Sequence, residues 1–124
     1  MPGNILIVDD DDSLRLLYKA ELTRDGYTVE TASNAEEALP QVSRQNYALA
    51  IVDIEMPGMS GLELLGKLRQ AAPDTCLVVN SAYSTYKADF NSWLADRYVV
   101  KSSDIEPLKQ NIRELMVTGE QGTR

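Results

Sequence analysis

A chain of 124 residues is long enough for one domain with a core of several packed elements and too short for two. Its formal net charge of −7 opposes binding to a nucleic-acid phosphate backbone, and the complete absence of histidine excludes His-ligated metals and Ser-His or Cys-His catalysis. Metals that take oxygen ligands remain, and the single cysteine, Cys76, lies in an apolar run, where it reads as a small core residue of a protein kept in a reducing cytoplasm.

In chain order, Ile5 to Val8 is an aliphatic run that stops at four acids, Asp9 to Asp12, so the first predicted strand delivers carboxylates at its C-terminal end. Ser13 or Asp12 is expected to cap the following helix, in which Leu14, Leu17, Tyr18 and Leu22 keep helical spacing until Gly26 ends it. Tyr27 to Ala32 reads as a short strand. Asn34 to Glu37 has the form of a capping box, opening a helix through Leu39 and Val42 in which Pro40 predicts a kink or an early break. Tyr47 to Val52 is short and too uniformly apolar to alternate, the mark of a strand buried on both faces, and Asp53 stands at its end. Met56-Pro57-Gly58 forces a turn, and Ser60 with Glu63 forms a second capping box before the stripe of Leu62, Leu65 and Leu68, which Pro73 terminates. Cys76 to Val79 is a fourth buried strand ending at Asn80-Ser81-Ala82. A helix is expected roughly over 85–95, with Tyr86, Phe90, Trp93 and Leu94 as its apolar side. Tyr98 to Val100 forms a fifth strand that ends at Lys101. Ser103 and Asp104 are expected to cap a last helix that tolerates Pro107 in its first turn and turns Leu108, Ile112, Leu115 and Met116 inward.

Residues 1–118 are expected to form the domain, with 119–124 as a polar tail or the start of a linker. No stretch approaches the roughly 20 apolar residues of a membrane span, and Met1 to Asn4 runs directly into the first strand, so neither a signal peptide nor a membrane anchor is expected.

Strict alternation of strand and helix implies an α/β fold: a parallel sheet with helices on both faces and right-handed crossovers. Four of the five strands end in a polar group: Asp9 and Asp10, Asp53, Ser81 and Lys101. Ligands of such sheets gather at the C-terminal edge of the strands. Clustered carboxylates repel one another unless a cation intervenes, and an all-oxygen set favours Mg²⁺.

The stretch Ala50 to Gly61, an apolar strand followed by Asp53, two residues, Met-Pro-Gly and a later glycine, resembles the phosphoacceptor loop of the receiver domain of two-component response regulators, the CheY-like superfamily. The order acid pair, acid, hydroxyl, lysine extends the resemblance along essentially the whole chain. It implies a doubly wound, flavodoxin-like five-stranded sheet of order 2-1-3-4-5. It further implies that Asp53 is phosphorylated by a sensor histidine kinase or phosphotransfer protein, and that Asp9, Asp10, Asp53 and the Glu55 backbone carbonyl hold Mg²⁺, with Mn²⁺ as an alternative. Ser81 and Lys101 would bind the phosphoryl oxygens, Ser81 and Tyr98 would form the switch, and Glu55 and Tyr83 would set the lifetime of the phosphorylated state. Such a chain is a signalling switch that catalyses its own Mg²⁺-dependent phosphorylation and slow dephosphorylation. It addresses an output protein or domain, or a second copy of itself, through the face made by the fourth helix, fifth strand and last helix, with no direct role at nucleic acid or membrane.

The bland readings are that the acid run only caps a helix, that Lys101 and the Ser81 hydroxyl are solvated, and that Tyr98 is packed core. Taken together they give a phosphorylation-independent pseudo-receiver that only binds a partner. A metal-dependent phosphatase would need a general acid near Asp53, a role Glu55 offers, but also a cap segment that the chain lacks. Four positions depart from the family pattern. Ser81 stands where threonine is usual, Ser102 where proline follows the lysine, and Asp96-Arg97 where Gly-Ala precedes the fifth strand. Serine removes the reason for a cis bond after Lys101, so a trans peptide is expected there, with the amine still directed at Asp53.

Overall fold

The computed structural model describes residues 3–55, 58–59, 61–82 and 95–120. Five strands, β1 (Asn4–Val8), β2 (Thr28–Ala32), β3 (Leu49–Val52), β4 (Cys76–Ser81) and β5 (Arg97–Val100), form one parallel sheet of order β2-β1-β3-β4-β5. Four helices are described: α1 (Asp12–Arg24), α2 (Ala35–Arg44), α3 (Gly61–Ala71) and α4 (Glu106–Glu120). The helix expected over 85–95, with Trp93 on it, falls almost wholly outside the described residues.

Side-chain alternation along the buried strands divides the core in two. Leu6, Val8, Ala50, Val52, Leu77 and Val79 face one way, onto Ala38 and Val42 of α2 and Leu64, Leu65 and Leu68 of α3. Ile5, Ile7, Leu49, Ile51, Cys76 and Val78 face the other way, onto Tyr18 and Leu22 of α1 and Leu108, Ile112 and Leu115 of α4. Each such aliphatic side chain contributes about 1.5–3 kcal/mol on burial, so a charge placed at Ile51 would disrupt the sheet outright. Register sets the working edge: Val8 is level with Val52, Val52 with Val79, and Ser81 with Val100, so the C-terminal ends of β1, β3, β4 and β5 lie side by side.

Several local expectations are corrected. The cap of α1 is Asp11, whose carboxylate accepts from the N–H groups of Ser13 and Leu14 at 2.9 and 3.1 Å, in place of Ser13 or Asp12. Asp12 is already helical, and its carboxylate pairs with Arg15 one turn on. Leu17 is not inward: it is 48% exposed, because Tyr18 and Leu22 fix the buried stripe and Leu17 stands about 100° round the helix from its neighbour Tyr18. Gly26, at φ 103°, makes the left-handed turn after α1 that other residues adopt only with strain. Helix α2 runs through Pro40 to Arg44 without a break. Pro40 and Glu36 both lie on the exposed side of α2, where solvent can meet the Glu36 carbonyl that lacks its helical N–H partner. Its cap is Asn34, which accepts from Glu37 N–H at 2.9 Å, while the Glu37 carboxylate reaches back to the N–H of Ser33 at 2.7 Å.

Two further ties set the ends of the last elements. The polar turn before β5 is held by Asp96, whose N–H donates to the Leu77 carbonyl at 2.8 Å and whose carboxylate accepts from Leu77 N–H at 2.8 Å and from Arg69 of α3 at 3.3 Å. Asp104 accepts from Glu106 N–H at 3.0 Å to open α4, as its position suggested, and buried Lys109 bridges α4 to Glu21 and Asp25 at the end of α1, at 3.0 and 3.3 Å.

Candidate functional site

Because β1 and β3 pair in register, Asp9 and Asp53 leave the sheet as neighbours, and the Asp53 N–H donates to the Val8 carbonyl at 2.9 Å, continuing the ladder past the last strand residue. Both are buried, at 2% and 4% exposure, whereas Asp10 is exposed. Asp9, Asp10 and Asp53 each offer one carboxylate oxygen, and these oxygens lie within 4.8 Å of one another.

Each buried carboxylate divides its oxygens between a backbone N–H and a lysine. One oxygen of Asp9 accepts from Asp11 N–H at 2.9 Å, and one oxygen of Asp53 accepts from Glu55 N–H at 2.9 Å. The remaining oxygens face the Lys101 ammonium, at 2.9 Å from Asp9 and 3.1 Å from Asp53. Lys101 reaches them from the end of β5, where its own N–H donates to the Ser81 carbonyl at 2.7 Å, and it does so from a trans backbone, as expected for Lys101-Ser102. Burial alone pulls the ammonium pKa down. The hydrogen bond and charge of Asp9, and then those of Asp53, outweigh it and hold Lys101 above the usual lysine range.

Of the other expected residues, Ser81 is fully buried at the end of β4, and Tyr98 is half-buried on β5 against the α2–α3 side of the core. The exposed Glu55 enters the site through its N–H. Tyr83, Met56, Pro57 and Ser60 lie outside the described residues. Two contributors escaped the sequence reading. Arg15 of α1 donates to the Asp9 backbone carbonyl at 2.7 Å while pairing with Asp12, and Tyr18 accepts a buried hydrogen bond from Asn80 at 3.0 Å. The only signal for Arg15 was its place three residues after an acid, which is ordinary on any helix surface.

Three carboxylates against one ammonium leave the cluster two negative charges in excess, which suits a divalent cation. Oxygen-only donors of this kind are those that Mg²⁺ takes.

Residues 5–113 match the family model of the response regulator receiver domain. The chain belongs to that family. Among curated relatives, response regulator ArlR from Staphylococcus aureus is 34% identical over 113 residues, which are 90% of this chain and 52% of ArlR. The receiver thus spans about half the length of the curated relatives it matches. The crystal structure of response regulator protein TrrA from Thermotoga maritima, in complex with Mg²⁺-BeF, is 47% identical and superposes with a TM-score of 0.85 over 93% of this chain and 99% of that one. TrrA bound to the histidine kinase ThkA superposes with a TM-score of 0.84 at 47% identity, over 93% and 98% of the two chains. As a receiver, the chain is a component of a two-component system, a signalling switch on the expected 2-1-3-4-5 sheet. Among the described residues, no helix is long and apolar enough to cross a membrane.

Proposed function

We propose that this receiver accepts a phosphoryl group on Asp53 from a histidine kinase or phosphotransfer protein and is activated by it. The observation that carries the reading is the sharing of Lys101 between Asp53 and Asp9, at 3.1 and 2.9 Å, beside a third carboxylate. In the transfer, one Asp53 oxygen forms a bond to phosphorus as the bond to the donor nitrogen or oxygen breaks, and the electron pair leaves with the donor. The Glu55 N–H holds the other Asp53 oxygen, which fixes the carboxylate plane, and Lys101 already stands at hydrogen-bond distance to neutralise charge on the incoming group.

Asp9, Asp10 and Asp53, with the Glu55 carbonyl, would hold Mg²⁺, or Mn²⁺ in its place; a bound ion supplies positive charge at the phosphoryl oxygens and keeps positions open for water and phosphate. The oxygen-only donor set and its surplus of two negative charges favour such an ion. TrrA was crystallised with Mg²⁺-BeF, and its sequence is close to this one.

The hydroxyl of Ser81, the residue whose carbonyl accepts the Lys101 N–H, binds a phosphoryl oxygen and draws its loop inward, and Tyr98 follows into the space vacated. Glu55 and Tyr83, two residues beyond Asp53 and Ser81, flank the path of hydrolytic water and set the lifetime of the acyl phosphate. The face that β5 and α4 form with the helix expected over 85–95 then presents the signal to an output protein or domain or to a second copy, in the cytoplasm. A pseudo-receiver that binds a partner without phosphorylation is disfavoured by the intact set of Asp9, Asp10, Asp53, Ser81 and Lys101.

The test is mass spectrometry after incubation with a small phosphodonor and Mg²⁺. The wild type gains one phosphoryl group and Asp53→Asn gains none, because an amide is no nucleophile at neutral pH; equal gain by both removes the reading.

A further inference from the structure

The face of the sheet packed on α1 and α4 is lined by aliphatic side chains, yet two polar groups meet inside it. The Tyr18 hydroxyl of α1 accepts from the Asn80 amide of β4 at 3.0 Å, with the two residues only 4% and 2% exposed. A hydrogen bond between buried neutral groups adds little net stability, since both partners are taken from water. Two apolar side chains of similar shape would serve the core as well or better. What a hydrogen bond adds over packing is direction: it fixes the rotation of the Asn80 side chain where aliphatic contacts allow sliding.

The location gives that direction a use. Val52 is level with Val79, so Asn80 stands beside Asp53 on the adjacent strand, and the next residue is Ser81. At its other end the bond is anchored on α1, the helix whose Asp11 and Arg15 hold Asp9 through its carboxylate and its carbonyl. The bond therefore spans from the element that holds Asp9 to the strand end that carries the hydroxyl.

We propose that Tyr18 and Asn80 are a positioning pair that presets the direction of the Ser81 hydroxyl relative to Asp53. This rests on Ser81 binding the phosphoryl group as described above. Neither residue of the pair touches the reacting atoms; both act through Ser81.

The experiment measures the rate of Asp53 phosphorylation by a small phosphodonor with Mg²⁺, and thermal unfolding, for the same set of proteins. Tyr18→Phe slows phosphorylation about 3- to 10-fold, the worth of one neutral hydrogen bond. In the double variant Tyr18→Phe/Asn80→Leu no buried polar group is left unpaired, so the melting temperature returns to the wild-type value or above while the slow rate persists. In a Ser81→Ala background, Tyr18→Phe brings no further slowing. Recovery of the rate together with stability in the double variant reduces the pair to core packing, and equal slowing with and without the Ser81 hydroxyl shows that it does not act through Ser81; either result overturns the inference. A wild type that takes up phosphate while Tyr18→Phe does so equally fast overturns the pair alone. A wild type that takes up none overturns the reading of the site as well.

Discussion

Replacing Lys101 by methionine keeps an unbranched stem of similar length and removes the ammonium that two buried carboxylates share. The Asp9 and Asp53 side chains are only 3% and 5% exposed, so the charge they lose is not readily replaced by water. Removing one partner of a buried ion pair costs roughly 3–5 kcal/mol, and the 17% exposure of the Lys101 side chain puts this case at the lower end, about 3 kcal/mol. For a chain of this size that is a fall of about 10 °C in melting temperature in the presence of chelator. A cation held by Asp9, Asp10 and Asp53 restores part of the lost charge. At ten times its dissociation constant such an ion adds about 1.4 kcal/mol to any folded protein that binds it. Lys101→Met also binds it more tightly than the wild type, since no ammonium competes for the same oxygens. The gap between variant and wild type therefore narrows on adding Mg²⁺. Thermal unfolding of both proteins with EDTA and with Mg²⁺ decides the matter, and a loss under about 2 °C, or a gap that Mg²⁺ leaves unchanged, refutes the argument.

Asp10→Ala, by removing one of few oxygen ligands at the open side of the cluster, weakens Mg²⁺ binding roughly tenfold or more in a calorimetric titration, and unchanged affinity would make the acid pair a helix cap only. Gly61→Ala places a Cβ 2.4 Å from the Ile54 Cβ, so the loop after Asp53 must shift; an overpacking cost of about 1–3 kcal/mol and slower phosphorylation are expected, and a neutral effect in both would contradict the close approach. Glu30 is held below the usual carboxylate range first by the Tyr47 hydroxyl and then by Gln45. A depressed carboxyl pKa gives stability that is present above the unfolded value and lost as pH falls through the folded one. Tyr47→Phe therefore costs about 1 kcal/mol at pH 7, on a mostly solvated carboxylate, and flattens the acid limb below pH 4.5; urea unfolding across that range measures it. The same phenol, pushed up to about 12 by burial and by Glu30, ionises well above free tyrosine in an ultraviolet titration.

The fold was legible because its strands are short, wholly apolar and punctuated by polar residues, so Val8, Val52 and Val100 could each be placed at a sheet edge from spacing alone, while the strand order came from resemblance. The acids and Lys101 were legible for the same reason: a charged residue that ends a buried run has one place to go. Local chemistry was less so. Four consecutive aspartates are equivalent to a capping rule, and only the backbone shows that Asp11 is the extended residue before α1. Leu17 fits helical spacing as well as Tyr18 does, and the choice between them depends on where α1 lies over the sheet. Pro40 was read as a kink or an early break from its lost hydrogen bond and the crowded carbonyl, and its place on the exposed side of α2 is not written in the sequence. Arg15 on the Asp9 carbonyl and Asn80 on Tyr18 are side-chain bonds without periodicity, and nothing along the chain announces them.

The bracket that Asp96 makes on Leu77 constrains how this chain can be altered as well as how it moves. A small residue at that turn, as in the usual family pattern, would remove the carboxylate facing Arg69 and also the acceptor for the Leu77 N–H. Arg69, 27 residues away in sequence, would keep the carbonyls of Pro73 and Thr75 as partners, at 3.4 and 3.0 Å. The bracket also seats the start of β5: the first strand residue follows it directly, and Lys101 lies five positions beyond the bracket, where its own N–H is tied to the Ser81 carbonyl. β5 is thus fixed at both ends on β4, by Leu77 before it starts and by Ser81 after it ends. A chimera that joins this β5 to another receiver's α3 would keep Lys101 and lose the Arg69 arm of the bracket that precedes it.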